Sequence, residues 1–289
     1  MEIFEVMKWP MVACLLLPGL LVYLGLHIIR REIIFVDLAL AQVAALGTCL
    51  AILLDQHDLF FEMPLPGLAP FKIFYSYLWS FSFTIVGAAI FTLTRSQKQH
   101  QRVPQEALIG IVYVVAAAAG ILLLSRSANG KEELQQTLVG DLLNLQRPAQ
   151  VFKPFALFVF VGLIHFIFRK KFLALSFDPA LEAERKISVF WWDFLFYALF
   201  GLVVTTFVEI GGVLLVFSYL IVPAVCANFL ASRMKTMMMI GWAIATLGSG
   251  VGLYSSYKFD LPTGAAVVCA LAGFLLLTGL LAKCFKKSL

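Results

Sequence analysis

Long apolar runs alternate with short polar stretches along the whole 289-residue chain. The hydrocarbon core of a bilayer is about 30 Å thick, and about 20 apolar residues cross it as an α-helix. Nine runs have roughly this length, at residues 11–29, 33–54, 71–94, 106–125, 151–168, 190–208, 210–230, 236–257 and 262–282. The pattern predicts an all-α, polytopic membrane protein with about nine transmembrane helices.

The composition excludes an ordinary soluble domain. Hydrophobic residues make up 61% of the chain, charged residues make up 13%, and the mean hydropathy is +0.93. The first apolar run has only Lys8 before it and lacks a small-residue cleavage pattern, so we interpret it as a retained helix and not as a signal peptide. The sequence therefore predicts a single transmembrane domain over residues 1–289.

Basic residues near the ends of the runs predict the orientation, because they favour the cytoplasmic side. Alternate loops hold 15 and 7 of the 22 lysines and arginines. This asymmetry places the N-terminus outside and the C-terminus inside, which requires an odd number of spans. The net charge of +5 then reflects topology within membrane lipid, and it gives no reason to expect a nucleic-acid partner.

Two kinds of loop stand out in this arrangement. The exterior would hold residues 55–70 and 126–150, and the second contains "KEELQQTLVGDLLNL", whose apolar spacing suits a short interfacial helix. The longest interior loop is 169–189. Asp178 followed by Pro179 begins its "FDPALEAERK" core and predicts a short helix on the cytoplasmic face, suited to docking a partner.

Signatures of enzymes are missing from the sequence. It contains no GxxxxGK[ST] phosphate loop, no HExxH and no GxSxG, and its four histidines are scattered. The cysteines show no CxxC spacing and are interpreted as small packing residues, at positions 14, 49, 226, 269 and 284. We therefore expect a protein that is not an enzyme, has no resident cofactor, and draws its energy from elsewhere.

Polar residues inside apolar runs are informative because a bilayer makes them costly, at roughly 2.5 to 3.5 kcal/mol for a central charge. The informative residues in or beside the runs are Asp37, Gln42, His165, Asp193 and Glu209. For Asp37, a role in a pathway or gate and a role in helix packing, for example by pairing with an arginine, both stay open.

The other polar residues favour simpler interpretations. His165 lies within about a turn of the inner end of its run, close to Arg169, and is expected at the membrane interface. Asp193 follows the aromatic pair 191–192, which is typical of an interface. Glu209 falls in a tight external link between two runs, where a carboxylate can simply be solvated.

A proline and a glycine pair punctuate the stretch "VEIGGVLLVFSYLIVPA". Pro223 removes one helical hydrogen bond and kinks the helix, and neighbouring helices can satisfy the freed carbonyl. The pair 211–212 allows backbones to approach closely. Both residue types are also commoner in membrane helices than in soluble ones, so the pattern alone does not assign a function.

An ordered set of segments resembles the permease subunits of the bacterial ABC importers for zinc, manganese or iron. The segments are "FDPALEAERK", then "DFLFYALFGLVVTTFVEIGGVLLVFSYLIVPAVCANFLASRM", then "GSGVGLYSSYKFDLPTGAAVV". Upstream, "RREIIFVD", "EALIGIVY" and "LVGDLLNL" are similar to the family's second helix and to two later segments. The similarity covers residues of about 20–275.

The resemblance implies a dimerising permease of the bacterial plasma membrane. It implies a second permease copy or paralogue, two cytoplasmic ABC ATPase subunits, an extracytoplasmic metal-binding protein, and a divalent metal as transient substrate. The interior loop 169–189 would be the coupling loop that binds the ATPases. Its expected contact residues are Phe177, Asp178, Pro179 and Glu182. A pathway helix would carry Glu209, Gly212 and Pro223.

One position departs from the family's pattern. Its second helix usually has an aspartate followed four residues later by a histidine, which puts oxygen and nitrogen ligands on one helix face. Here Asp37 is kept, position 41 is alanine, and Gln42 is the nearest polar candidate. Five residues turn an α-helix by about 500°, so Asp37 and Gln42 point about 140° apart unless the helix is bulged. Asp37 and Gln42 are the candidate metal residues.

Two other classes of function were weighed. A stand-alone secondary transporter of a small solute would show two similar halves with interrupted helices at matching positions, and no clear repeat is present. An intramembrane enzyme would need convergent catalytic polar groups, which the runs do not contain. The sequence favours the permease subunit of an ATP-driven importer.

Overall fold

The computed structural model describes residues 2–56, 69–96, 104–125, 140, 142, 145–177 and 189–286. Nine helices cover most of these residues: α1 Glu2–Arg31, α2 Val36–Gln56, α3 Ala69–Ser96, α4 Gln105–Leu124, α5 Pro148–Ile167, α6 Arg169–Phe177, α7 Val189–Leu230, α8 Met234–Phe259 and α9 Thr263–Lys286. Every regular element in the described ranges is helical. The predicted all-α class is confirmed.

Seven helical ranges are long and apolar enough to cross a membrane among the described residues. They are Met7–Arg31, Tyr77–Arg95, Gln105–Leu124, Pro148–Ile167, Val189–Leu230, Met234–Phe259 and Thr263–Cys284. A shorter apolar stretch, Val36–Ala51, lies in α2. The predicted multi-pass membrane protein is therefore confirmed.

The predicted runs 190–208 and 210–230 lie in α7, a 42-residue range made of two helices that meet at a kink with a non-helical residue. That residue is Gly212, with φ 72° and ψ 163°. The expected external link at Glu209 is thus helical, and the interruption comes three residues later. Glycine has no Cβ, so it can adopt a positive φ at little steric cost.

A second glycine packs directly against this interruption. Gly140 has φ +66°, and a Cβ on it would overlap the carbonyl carbon of Gly211 and the amide nitrogen of Gly212. The segment containing Gly140 therefore meets α7 by backbone contact. Only glycine fits at position 140 without a shift of the backbone there or at residues 211–212.

The chain forms two compact units. The first contains Met1–Ile34, Leu138–Pro179 and Thr206–Leu289, and the second contains Phe35–Thr137 and Ala180–Thr205. The prediction of a single permease domain over residues 1–289 stays a prediction.

The first unit is built around α1, which packs on α5, α6 and α8, while α8 also packs on α9. The side chains of Leu21 and Leu24 are completely buried in this unit. The indole Nε1 of Trp242 in α8 donates to the carbonyl oxygen of Leu15 at 3.0 Å. The burial of apolar side chains and this hydrogen bond hold α1 against α8.

The second unit is built around α2, which packs on α3 and α4. Gly47 lets α2 approach α3 closely, because a Cβ there would lie 2.7 Å from the carbonyl oxygen of Trp79. A buried ion pair joins the end of α3 to the start of α7, with Arg95 Nη1 at 2.7 Å from Asp193 Oδ1. Close backbone packing and one charge pair hold this unit together.

Candidate functional site

Asp37 lies in the first turn of α2, in the second unit, and its side chain is 2% exposed. The polar groups beside its carboxylate are the backbone N–H groups of Asp37 and Leu38. Within the described residues, no side chain donates a hydrogen bond to either carboxylate oxygen. Within the described part of the chain, Asp37 therefore forms no pair with an arginine.

Gln42 is also buried, and α2 runs as an α-helix through both positions without a bulge. The two side chains then point about 140° apart around the helix axis. Ala41, at the position where the family's pattern has histidine, is buried as well. Asp37 and Gln42 lie in one helix and do not form a common face, so their joint role as metal residues stays a prediction.

Three of the four predicted coupling residues, Asp178, Pro179 and Glu182, lie outside the described residues, as does most of the expected interfacial helix in 126–150. Phe177 is the last residue of α6 and is described. Its ring contacts that of His27 edge-on, at 5.4 Å between centroids. The guanidinium carbon of Arg30 lies 5.5 Å from the centre of the Phe177 ring. The end of α6 is thus held against the end of α1.

Pro223 is buried inside α7, where α1 and α8 approach its backbone. Because proline has no N–H, the carbonyl of Tyr219 loses its helical donor. A Cβ on Gly25 of α1 would overlap the carbonyl oxygen of Leu220, one residue along. A Cβ on Gly241 of α8 would lie 3.3 Å from the carbonyl oxygen of Pro223. Pro223 therefore sits where three helices meet through small residues.

The other residues of the predicted pathway helix have different environments. Glu209 is exposed on α7, and its solvation stays a prediction. Gly212 is the non-helical residue described above. The structure places Glu209 and Gly212 within one turn of each other, and Pro223 three turns further along the helix.

A buried polar cluster in the first unit was not predicted from the sequence. His27 Nδ1 lies 2.8 Å from the hydroxyl oxygen of Ser176, and Arg31 Nε donates to the same oxygen at 2.8 Å. The exposed fractions of His27, Arg31 and Ser176 are 0%, 5% and 7%. The one signal in the sequence is the spacing of His27 and Arg31, which puts them on the same face of a helix.

The structure gives the contacts of two polar residues that the sequence places at a membrane interface. The side chain of His165 is buried against Phe172, with ring centroids 4.2 Å apart. Its Nδ1 also lies 3.3 Å from the hydroxyl oxygen of Tyr23. Asp193 is buried and forms the ion pair with Arg95. The depth of both residues in the membrane stays a prediction.

The buried histidines His27 and His165 do not form a site suited to a cation. The rings of His27 and His165 lie 6.4 Å apart, and the Arg31 guanidinium is bonded into the same cluster. A positive charge so close repels a divalent cation. No group of three or more His, Cys, Asp or Glu side chains that could hold a metal occurs in the described portion of the chain.

The sequence pattern of a known family, the ABC 3 transport family, matches residues 3–282. The chain belongs to this family. The resemblance inferred from the ordered motifs is therefore confirmed, and the chain is a transmembrane permease.

Relatives in the ABC 3 family agree with this assignment. A manganese transport system membrane protein of Listeria innocua is 31% identical over 209 residues, covering 71% of this chain and 72% of its own. A manganese import system permease protein of Streptococcus gordonii is 28% identical over 250 residues, covering 84% and 87%. The solved structure of PsaBC from Streptococcus pneumoniae in complex with Fab has a TM-score of 0.74 at 22% identity. That match covers 94% of this chain and 90% of the other, and it indicates a shared fold.

Proposed function

We propose that this ABC 3 family chain is the transmembrane subunit of an ATP-driven importer of divalent metal ions, and that manganese is its substrate. The observation that carries the proposal is the family match over residues 3–282, together with relatives named for manganese transport. Two such relatives match from 71% to 84% of this chain.

The chemistry of Asp37 supports manganese over zinc. A carboxylate offers a hard oxygen ligand, which suits manganese, whereas imidazole and thiolate ligands favour zinc. A lone buried carboxylate is unfavourable unless it meets a cation or water. Brief contact with a passing ion would satisfy it, and transport requires holding that is weak enough for release.

The proposed assembly follows the family pattern. The chain would cross the membrane nine times, with its N-terminus outside and its C-terminus inside. It would pair with a second permease copy or a paralogue and receive metal from an extracytoplasmic binding protein. Cytoplasmic ABC ATPases would dock on the part of the coupling loop 169–189 that follows α6, and they would hydrolyse ATP, while this chain itself would not act as an enzyme. The metal would be a transient substrate.

Reconstitution tests the proposal directly. The permease would be co-expressed with candidate ATPase and binding-protein partners, and the complex would be placed in liposomes. We expect ATP-dependent accumulation of manganese, greater than that of zinc or iron(II). Accumulation of a solute driven by an ion gradient without ATP would instead identify a secondary transporter and overturn the proposal.

A further inference from the structure

The inner end of α1 holds the end of α6 through one shared hydroxyl group. Ser176 Oγ lies 2.8 Å from His27 Nδ1 and accepts a hydrogen bond of 2.8 Å from Arg31 Nε. His27 and Arg31 are one helical turn apart, so they reach Ser176 from the same face of α1. A single oxygen on α6 is therefore fixed by two polar groups of α1.

The next residue of α6 is held by the same helix. The Phe177 ring contacts the His27 ring at 5.4 Å and lies 5.5 Å from the Arg30 guanidinium carbon. Arg30 Nη2 also donates to Asn228 Oδ1 at 3.3 Å, near the end of α7. Two consecutive residues of α6 are thus clamped by three residues of α1, which we call the α1 clamp: His27, Arg30 and Arg31.

The position of the clamp in the chain gives it significance. Ser176 and Phe177 are the last two residues of α6, and the core of the proposed coupling loop begins at residue 178. At the other side, residues 32–35 join α1 to α2, the helix that carries Asp37. The clamp therefore connects, by non-covalent contacts, the end of α6 before the proposed ATPase-binding loop to the end of α1 before the proposed metal residue.

Packing alone would not require a polar clamp. Replacing a buried hydrogen-bonded pair by apolar groups of similar shape is often nearly neutral or even stabilising. Burying Arg31 at 5% exposure in a membrane protein is costly by comparison. Directional hydrogen bonds fix the rotation and register of α6 on α1, which apolar contacts do far less strictly.

We propose that His27 and Arg31 are positioning residues that, through Ser176, transmit movement of the coupling loop to α1. This inference rests on the proposed function, since it needs ATPase subunits that act on residues 178–188. Arg30 supports the same contact from the exposed side through Phe177.

The test uses the whole importer complex, purified through a tag on the ATPase so that only assembled permease is counted. ATP hydrolysis is measured with and without binding protein and manganese. For Ser176→Ala we expect assembly and basal hydrolysis to persist, while the ratio of stimulated to basal hydrolysis falls about five- to tenfold, within the usual range of coupling between sites. Ser176→Thr, which keeps the hydroxyl, should restore most of that ratio.

Ser256→Ala is the matched control. Ser256 is also a buried hydroxyl of the first unit, bonded to the Leu261 carbonyl at 2.7 Å and lying 3.0 Å from the Thr263 hydroxyl, and neither of these partners belongs to α6. Its loss should leave the ratio unchanged. If Ser176→Ala does not assemble, Arg31→Lys, which keeps the charge but lacks Nε, is measured in the same way.

Each outcome decides the proposal. A normal ratio in assembled Ser176→Ala or Arg31→Lys complexes overturns it, and so does an equal fall in Ser256→Ala. A fall in the ratio of stimulated to basal hydrolysis in Ser176→Ala, together with a normal ratio in Ser176→Thr, supports the proposal. If the wild-type complex shows no stimulation by manganese, zinc or iron(II), the proposed function itself fails, and that failure is visible before any variant is compared.

Discussion

The carboxylate of Asp37 gives the sharpest prediction at the scale of single residues. It is buried, and among the described residues it accepts no side-chain hydrogen bond. Asn is nearly isosteric and uncharged, so Asp37→Asn should assemble normally but lower manganese uptake about tenfold or more, equivalent to about 1.4 kcal/mol or more of lost interaction. Gln42→Ala should have a smaller effect, because Gln42 points away from the Asp37 face. Uptake at the wild-type rate in Asp37→Asn would make Asp37 a packing residue.

Gly140 gives a prediction about stability. Its positive φ and its contact with the backbone of 211–212 leave no room for a Cβ. Gly140→Ala should destabilise the protein by about 2 kcal/mol or more, from the left-handed conformation and overpacking together. The fraction that survives heating, measured by size-exclusion chromatography in detergent, reports this change.

The control for Gly140→Ala is Gly162→Ala in α5, where an added Cβ meets no atom within 4 Å. Alanine is the better helix former by about 1 kcal/mol, so this control should be neutral or slightly stabilising. Equal heat resistance of the two variants would contradict the packing argument.

Sequence reasoning at this scale found Asp37 and missed the α1 clamp, for a physical reason. A carboxylate inside an apolar run is visible because the run itself makes it costly. The partners Arg31 and Ser176 are 145 residues apart in the chain. Arg31 follows Arg30 at a predicted inner membrane end, and Ser176 lies in the predicted interior loop. Solvation is a sufficient explanation for both, so only the packing of α6 on α1 reveals the pair.

The ion pair between α3 and α7 gives a prediction at the scale of elements. Asp193 is 1% exposed and Arg95 is 14% exposed. Asp193→Asn removes the charge that Arg95 binds, and we expect a loss of about 2 kcal/mol, below the 3–5 kcal/mol of fully buried pairs because Arg95 keeps some solvent. A double-mutant cycle with Arg95→Gln, followed by thermal unfolding in detergent, measures the pair. Strictly additive effects of the two changes would show that the pair does not couple α3 to α7.

The elements themselves were largely predictable, because hydrophobic length determines helices in a membrane protein. The boundaries of α4 and α8 differ from the predicted runs by no more than two residues. Others differ more: α1 begins nine residues before its predicted run, and in α7 a carboxylate at Glu209 suggested a loop. Helical hydrogen bonding continues past this exposed carboxylate, and the true interruption is set by Gly212, whose positive φ is not readable from a hydropathy pattern.

At the scale of the whole molecule, the family and the membrane class were predictable, while the packing of helices into units was not. An apolar run indicates that a helix is buried in lipid or protein, but it does not indicate which other helices the helix contacts. The contacts of Gly25 with Leu220 and of Gly47 with Trp79 depend on small residues meeting a particular backbone, 195 and 32 positions away in the chain. Such pairs are specified by three-dimensional shape and not by local pattern.

The orientation of the chain and the number of times that α7 crosses the membrane give the last prediction. Its 42 residues would extend roughly 63 Å as one rod, about twice the hydrocarbon thickness. If its two halves cross separately, residues before and after α7 lie on the same side of the membrane. If it crosses once, they lie on opposite sides.

Lys170 and Ser232 are exposed positions on the two sides of α7 in sequence, and Gln146 and Asp260 are exposed positions in the predicted exterior. Single cysteines at these four positions, in an otherwise cysteine-free chain, would be labelled in intact cells with a membrane-impermeant maleimide.

We expect Gln146→Cys and Asp260→Cys to react from outside, and Lys170→Cys and Ser232→Cys to react only after the membrane is opened. Reaction of Lys170→Cys and Ser232→Cys from opposite sides would reduce α7 to one crossing and refute the nine-span arrangement, whereas reversal of all four would keep the number of crossings and invert the orientation inferred from the 15 to 7 distribution of basic residues.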